Sequence, residues 1–284
     1  MNTKTLILGS NGQLGSDLVK ICKQEDINHI PVTRNEFDAL HDDLASKLLI
    51  HKPDYIINCI ATTNVDGCED ASLLAFNINT DFVYGLAKFC SENNITLIHI
   101  STDYVFDGSK NTPYLETDSP NPQNIYGISK YAGELTVKAY ATKYFVFRVS
   151  SLFGRAGASG KGGNFITTMK RLGQERDSIT VIADQITNPT ATLDIARCII
   201  HFIKNQIKDY GIYNCVSSNS CSWFEFAQAI FEKAGLDKDK VLPVNFASYK
   251  FIASRPKYSV LSTAKLAKYY QMPTWQQGLD EYFK

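Results

Sequence analysis

The sequence predicts an α/β protein built on a doubly wound parallel sheet. Short apolar runs alternate along the chain with segments in which apolar residues recur at helical spacing. The runs lack the polar alternation of half-exposed strands, which is typical of strands covered by helices on both faces. Because crossovers between parallel strands are right-handed, this order of elements favours a Rossmann-type fold.

The predicted elements follow one another in a regular order. Strands are predicted at residues 5–8, 29–33, 55–60, 96–100, 145–149, 180–182 and 212–216. Helices are predicted around residues 14–23, 73–90, 131–142, 165–173 and 195–203. Each strand is too short and too rich in β-branched residues to be read as a buried helix.

Composition and charge exclude several classes of protein. The 284 residues include 29 basic and 29 acidic side chains, so there is no basic field to attract nucleic acid or an anionic membrane surface. The seven cysteines show no CxxC spacing and indicate reduced thiols. The five histidines lack metal-ligand spacing, so no metal site is predicted from them. With no leader and no membrane-spanning run, we expect a cytoplasmic protein.

A glycine-rich turn follows the first predicted strand. Residues 9–15 read Gly-Ser-Asn-Gly-Gln-Leu-Gly, which differs in spacing from the standard dinucleotide fingerprint. Glycines allow close approach of a pyrophosphate, and a helix N-terminus offers free amides to it. The same glycines also suit a strand–helix turn that binds no ligand. The context favours a dinucleotide site formed by Gly9, Asn11, Gly12, Gln13, Leu14 and Gly15.

The residues after the second strand bear on the choice of cofactor. Arg34 follows that strand and would accommodate a 2′-phosphate, which favours NADPH. Glu36 keeps NADH as an alternative. The alternative for Arg34 and Glu36 alike is a solvated loop charge that binds no cofactor. Asp38 is a further candidate for the adenine or its ribose. After the third strand, small side chains that leave room for a cofactor occur at Ala61, Thr62 and Thr63.

Tyr126 and Lys130 form the candidate catalytic pair. Residues four apart share one face of a helix, so the phenol and the ammonium can point into one cleft. A neighbouring ammonium lowers the pKa of a phenol, which makes Tyr126 a candidate proton donor to a carbonyl group. Ser101 or Thr102, at the end of the fourth strand, can hold the same carbonyl oxygen. Taken alone, a Tyr and a Lys at this spacing are more often two neighbours on a helix surface. The position of this pair after the predicted cofactor motifs favours a catalytic role.

These motifs together resemble the extended short-chain dehydrogenase/reductases, and among them the dTDP-4-dehydrorhamnose reductase family. The matching stretches are residues 12–15, 101–108, 126–134, 164–165, 184–190 and 255–261. The most specific are Ser-Thr-Asp-Tyr-Val-Phe-Asp-Gly at 101–108 and Arg-Pro-x-x-Ser at 255–259. The resemblance implies NAD(P)H-dependent reduction of the C4 keto group of a nucleotide-linked 4-keto-6-deoxy sugar, above all dTDP-4-dehydro-L-rhamnose.

The resemblance also implies roles for single residues. Tyr126 would protonate the reduced oxygen, and Thr102 would orient the keto oxygen. Tyr126 and Lys130 would also bind the cofactor, Lys130 at the nicotinamide ribose. The substrate site would comprise Asp103, Tyr104, Ser151, Asn164 and Arg255. The fork of Arg255 suits a diphosphate, and a surface salt bridge is its alternative role. Ser151 stands where relatives carry Trp, so we expect a different sugar pocket.

A change of pattern divides the chain into two regions. We assign residues 1–154 to an NAD(P)-binding Rossmann domain, to which segments around 178–220 return, and residues 155–284 mainly to a substrate-binding region. The glycine-rich stretch 154–163 is predicted to be a mobile loop or junction.

Several alternatives stay open at this point. Some members of the family use a divalent cation at a dimer contact, and Asp17 stands where Glu is expected, so cation dependence and a homodimer are both undecided. An epimerase or dehydratase of the same superfamily is the first alternative function, although no Glu follows Asp103 as dehydratases require. A non-catalytic NADP-binding regulatory subunit is the second, and the presence of Thr102, Tyr126 and Lys130 disfavours it.

Overall fold

A parallel six-stranded sheet forms the centre of the computed structural model, which describes residues 3–156 and 163–284. The described strands are β1 (Thr5–Leu8), β2 (His29–Val32), β3 (Tyr55–Asn58), β4 (Thr96–Thr102), β5 (Tyr144–Val149), β6 (Leu152–Phe153), β7 (Ile179–Ile182), β8 (Ile186–Thr187), β9 (Thr190–Ala191), β10 (Gly211–Asn214), β11 (Cys221–Ser222) and β12 (Val241–Val244). The central sheet has the order β10-β5-β4-β3-β1-β2, with every neighbouring pair parallel. The predicted α/β class and doubly wound sheet are confirmed.

Helices cover both faces of this sheet. The described α-helices are α1 (Gln13–Gln24), α2 (Leu44–Leu48), α3 (Val65–Asp70), α4 (Ser72–Phe76), α5 (Phe82–Glu92), α6 (Ile125–Tyr140), α7 (Phe165–Glu175), α8 (Thr192–Lys204), α9 (Trp223–Lys233) and α10 (Trp275–Phe283). A π-helical segment, Asn77–Asp81, joins α4 to α5 within the stretch predicted as one helix.

The two faces of the sheet form two separate hydrophobic cores. Side chains that alternate along β1 point to opposite faces, as the pleat of a strand requires. Ile7 packs with residues of α1 and α8, including Leu18 and Ile199, whereas Leu6 packs with residues of α5, including Leu86. Burial of each such side chain contributes about 1.5–3 kcal/mol before entropy costs are subtracted. The sheet is therefore fixed from both sides, and its strand ends form a rigid platform.

The later part of the chain contributes to both regions. Helix α8 packs against α1, and β10 pairs with β5 at the edge of the central sheet, so these two elements return to the first region. Strand β7 instead pairs with β12. Its buried Ile179 and Val181 belong to a third core with α7, α9 and α10, and this packing draws it away from the central sheet.

The glycine-rich stretch is described only in part. Of the predicted loop at residues 154–163, positions 157–162 lie outside the described residues. Within the ranges that the structure describes, no helix combines the length and apolar character that crossing a membrane requires.

Candidate active site

A cleft of about 800 Å³ opens where β1, β3 and β4 end. In a sheet of this order the strand connections reverse direction between β1 and β3, and ligands of open α/β sheets bind at such a point. Predicted site residues that line the cleft are Gly12, Gln13, Leu14, Gly15, Ala61, Thr63, Thr102, Asp103, Tyr104, Tyr126, Lys130, Ser151 and Asn164. Those outside its lining are Gly9, Asn11, Arg34, Asp38, Thr62 and Arg255. The fold thus brings most of the predicted site together.

The glycine turn after β1 leaves the N-terminus of α1 open to a ligand. Gly9 has a φ of +75°, which a residue with a side chain rarely adopts. A Cβ on Gly15 would clash with the Gly9 carbonyl oxygen, so the turn tolerates only glycine there. Gly12 precedes α1 and provides no side-chain cap, and the first turn of α1 carries no acidic residue. These amides and the positive end of the helix dipole suit a phosphate group.

Arg34 and Asp38 form an exposed ion pair beyond the end of β2. The Arg34 Nε lies 3.0 Å from Asp38 Oδ2, and the Arg34 side chain is 75% exposed. Glu36 instead accepts hydrogen bonds from the amide and the hydroxyl of Thr33, which lowers the pKa of its carboxyl. The Glu36 carboxylate is therefore engaged by Thr33, whereas the Arg34 guanidinium stays largely exposed at the end of β2.

Thr102 and Tyr126 meet in the floor of the cleft. Thr102 ends β4, and Tyr126 lies in the first turn of α6, which Asn124 caps by accepting a hydrogen bond from the Gly127 amide. The Thr102 side chain lies close enough to the Tyr126 phenol to lower its pKa. The ring of Tyr104 packs edge-on against that of Tyr126, with 5.8 Å between ring centroids. The phenol is thus held in one position.

Lys130 is buried one turn further along α6. Its Nζ donates a hydrogen bond to the carbonyl oxygen of Ile100 at 2.6 Å. Burial lowers the pKa of Lys130 to about 8, and the charge of Glu134 partly offsets this effect. The ammonium therefore remains largely protonated at neutral pH.

The pKa of Tyr126 moves in the direction opposite to the one expected from the sequence. Burial raises the pKa of the phenol, and the negative charge of Asp103 adds to the effect, while the hydrogen bond with Thr102 opposes it. The sequence argument weighed only the Lys130 ammonium and missed the desolvation that comes from packing. The phenol is accordingly neutral near pH 7 and holds a proton to donate.

Ser101 and Thr102 have different partners, because a buried ion pair engages Ser101. Arg148 on β5 donates two hydrogen bonds to Glu134 on α6, at 2.9 and 2.7 Å. The Ser101 hydroxyl donates to the same carboxylate at 2.5 Å. Ser101 is therefore engaged away from Tyr126, and Thr102 is the hydroxyl that faces it. Sequence reasoning missed Glu134 and Arg148, because their partnership depends on the packing of α6 against β5.

Asn79, in the π-helical segment, is a second buried residue that the sequence did not reveal. Its Oδ1 accepts a hydrogen bond from the Thr62 amide at 2.9 Å, and its Nδ2 donates to the Ser129 hydroxyl at 3.0 Å. Asn79 thus connects the loop after β3 with α6. Thr62 does not line the cleft, and its contact with Asn79 holds the loop after β3. The amphipathic helix pattern around it gave no signal of this connection.

Two predicted substrate residues have structural partners. Ser151 has a φ of +46°, and its Oγ lies 2.7 Å from Thr187 Oγ1. Asn164 caps α7 by accepting a hydrogen bond from the Thr167 amide, and its Nδ2 donates to Gly154 and to Gln13 at 2.8 and 3.1 Å. Asn164 therefore connects the smaller region to the glycine turn.

Asp17 is held by a hydroxyl group. The Thr192 hydroxyl donates to Asp17 Oδ2 at 2.5 Å, and burial raises the pKa of this carboxyl. In residues 3–156 and 163–284, no group of three or more His, Cys, Asp or Glu side chains is arranged to hold a metal ion.

Comparison with known proteins places the chain in one family over its whole length. The family model described as "RmlD substrate binding domain" matches residues 3–284. The chain is 34% identical to the spore coat polysaccharide biosynthesis protein SpsK of Bacillus subtilis, covering 99% of this chain and 97% of that protein. It is 35% identical to the dTDP-4-dehydrorhamnose reductase of Escherichia coli, with 96% and 95% covered. The structure of dTDP-4-dehydrorhamnose reductase from Bacillus anthracis in complex with NADP superposes with a TM-score of 0.91 at 38% identity, covering 100% and 99%. The chain belongs to the dTDP-4-dehydrorhamnose reductase family.

Proposed function

We propose that this protein is an NADPH-dependent reductase of a nucleotide-linked 4-keto-6-deoxy sugar, converting dTDP-4-dehydro-L-rhamnose to dTDP-L-rhamnose. The observation that carries the proposal is the meeting of Thr102, Tyr126 and Lys130 in a cleft that begins at the glycine turn. Its relatives in E. coli and B. anthracis carry the name of this activity, and the second of them was crystallised with NADP. An epimerase and a dehydratase are also structurally similar to this chain, but at 17% identity they support the shared fold alone.

The described residues fit a dinucleotide. The uncapped N-terminus of α1 would hold the pyrophosphate, and the clash that a Cβ on Gly15 would cause shows how closely the turn is packed there. The exposed guanidinium of Arg34 would exchange its contact with Asp38 for a 2′-phosphate. Lys130 would bind the nicotinamide ribose. The bound cofactor supplies a hydride to C4 of the sugar.

Tyr126 and Thr102 would act on the keto oxygen. Both side chains line the cleft, so each hydroxyl would donate a hydrogen bond to the oxygen as negative charge develops on it. The raised pKa of Tyr126 keeps its proton in place until the oxygen becomes an alkoxide, which is the stronger base. The Lys130 ammonium, one turn further along the same helix, would balance the charge of the tyrosinate.

The proposal is tested by following reduced nicotinamide absorbance after adding the keto sugar to protein and NADPH. The substrate is generated in place by a dTDP-glucose 4,6-dehydratase, with or without the 3,5-epimerase. Oxidation of NADPH only when the epimerase is present supports the L-sugar substrate. Oxidation without the epimerase would replace it with a D-configured sugar, and Ser151 would be the first residue to examine. Tight NADPH binding without turnover on any nucleotide sugar would overturn the reductase in favour of a regulatory subunit.

A further inference from the structure

A buried carboxyl group lies beneath the catalytic hydroxyls. Asp103, directly after β4, is 3% exposed. Its Oδ1 accepts a hydrogen bond from Thr102 Oγ1 at 3.1 Å, and its Oδ2 accepts one from the Ser150 hydroxyl at 2.9 Å. Sequence analysis placed Asp103 among the substrate ligands, yet both of its oxygens are occupied by protein hydroxyls. These two contacts connect Asp103 to the hydroxyls of the site.

The groups around Asp103 are hydroxyls and phenols. Thr187 lies 2.8 Å from Ser150 and 2.7 Å from Ser151, and a further hydroxyl hydrogen bond to Asp103 comes from Ser259. The phenols of Tyr104 and Tyr126 also face it.

The nearby cations are directed elsewhere. Arg148 pairs with Glu134, Arg255 pairs with Asp66, and Lys130 donates to the carbonyl of Ile100. Across the described ranges, no Lys, Arg or His side chain forms an ion pair with Asp103. Nothing of opposite charge therefore fixes Asp103 in its ionised form.

The Thr102 hydroxyl has one proton and two competing acceptors. When Asp103 is ionised, its carboxylate can only accept, so the 3.1 Å contact takes the Thr102 proton and Thr102 can only accept from its other neighbours. The Tyr104 amide already donates to Thr102 Oγ1 at 3.2 Å. In that state Thr102 has no proton to offer to a keto oxygen.

We propose that Asp103 is a positioning residue for Thr102. As a neutral acid it donates its own proton to Thr102 Oγ1, and the Thr102 proton then turns to the keto oxygen; as a carboxylate it draws that proton away. In the neutral form the two hydroxyl protons only reorient and each group keeps its own; the change to the carboxylate releases one proton from Asp103 to solvent. This role rests on the proposed function, because it needs a carbonyl oxygen beside Thr102.

The electrostatics of the site agree with this role. Burial raises the pKa of Asp103 to about 6, although the hydrogen bonds from Ser259, Ser150 and Thr102 oppose the rise. Both forms of Asp103 are therefore populated close to neutral pH. Lys130 titrates higher, near 8, so the two groups can be separated in a pH profile that stays below pH 7.5.

The test measures kcat with saturating NADPH and keto sugar between pH 5 and about 7.5. For the wild-type protein we expect kcat to fall by at least about tenfold as Asp103 ionises, the effect of losing one hydrogen bond to the oxyanion. Asp103→Asn keeps the shape and donates permanently through its amide, so its profile should be flat. Ser150→Ala removes a donor to the carboxylate, which should move the falling limb to higher pH.

Infrared difference spectra give an independent readout. In the wild type, part of the carboxylic-acid C=O band should disappear as the pH rises, with the same midpoint pH as the fall in kcat. The spectrum of Asp103→Asn should lack this component. If the wild type turns over but Asp103→Asn has the same pH profile of kcat, the positioning role alone is overturned. The same holds if Ser150→Ala does not shift the pH at which kcat falls. No wild-type turnover on any nucleotide sugar would overturn the proposed function, and the positioning role with it.

Discussion

The carboxylate of Asp66 forms a bidentate ion pair with the guanidinium of Arg255. Arg255 Nη1 lies 3.0 Å from Oδ1 and Nη2 lies 2.8 Å from Oδ2. Asp66 Oδ1 also accepts a hydrogen bond from the Ala253 amide at 3.0 Å. The same guanidinium lies 4.5 Å from the ring of Phe251 and hydrogen-bonds the side chain of Tyr104. Asp66, at the start of α3, thereby holds a C-terminal segment beside the tyrosine that packs on Tyr126.

This contact predicts opposite effects from its two partners. If Arg255 binds the substrate diphosphate, Asp66 competes for the same N–H groups. Arg255→Gln should then raise KM for the sugar nucleotide by about tenfold to a hundredfold, the effect of losing a charged hydrogen-bond donor. Asp66→Asn keeps an acceptor for the Ala253 amide and removes the competing charge, so it should lower that KM. Steady-state kinetics at saturating NADPH measures both. A rise in KM in both variants would instead show a purely structural pair.

Replacement of Tyr126 by Phe should abolish most of the activity without weakening cofactor binding. The phenol provides the transferred proton, so we expect kcat to fall by a factor on the order of 10²–10⁴. The ring and its contact with Tyr104 remain, so NADPH affinity in a fluorescence titration should stay the same. Tyr140→Phe, on the exposed side of the same helix, is the matched control and should keep full activity. Wild-type rates in Tyr126→Phe would exclude the phenol as proton donor.

The Arg34–Asp38 ion pair predicts how cofactor preference can be shifted. Arg34→Ala should lower the affinity for NADPH by about tenfold to a hundredfold and leave the affinity for NADH nearly unchanged, because only NADPH carries the 2′-phosphate. Asp38→Asn releases the guanidinium and removes a repelling charge, so it should strengthen NADPH. Glu36→Gln is the control, since its carboxylate is engaged with Thr33. Dissociation constants for both cofactors decide the matter, and equal losses for NADPH and NADH in Arg34→Ala would remove the 2′-phosphate assignment.

The parts of the site that the sequence revealed are those tied to local order along the chain. The glycine turn follows β1, Thr102 ends β4, and Tyr126 begins α6, so each could be placed from strand and helix patterns. The contact between Asp66 and Arg255 joins residues 189 positions apart, and no periodicity encodes it. The pKa direction of Tyr126 was missed for a related reason, because desolvation is produced by side chains that several elements bring together.

The pairing of β7 shows the same limit in the fold. Its short β-branched run predicts a strand, which is present as Ile179–Ile182. Whether such a strand joins the central sheet depends on which apolar faces remain uncovered. Here β12, more than fifty residues later, provides the parallel partner, with Val241 opposite Ile179. Strand type is a local property, whereas strand partner is a property of the whole chain.

Two glycines on neighbouring helices should respond oppositely to alanine. A Cβ on Gly133 of α6 would press into the backbone carbonyl oxygen of Asn79, so the helix that carries Lys130 would have to move. Gly133→Ala should lower the free energy of unfolding by about 1–3 kcal/mol and reduce kcat, since Tyr126 lies on the same helix. Gly85→Ala places its Cβ in ordinary contact, 3.5 Å from Leu44 Cδ1, and should stabilise α5 by up to about 1 kcal/mol. Urea unfolding with an activity assay on each variant measures both effects. A Gly133→Ala protein as stable and active as the Gly85→Ala protein would show that α6 and the π-helical segment can separate without disturbing the site.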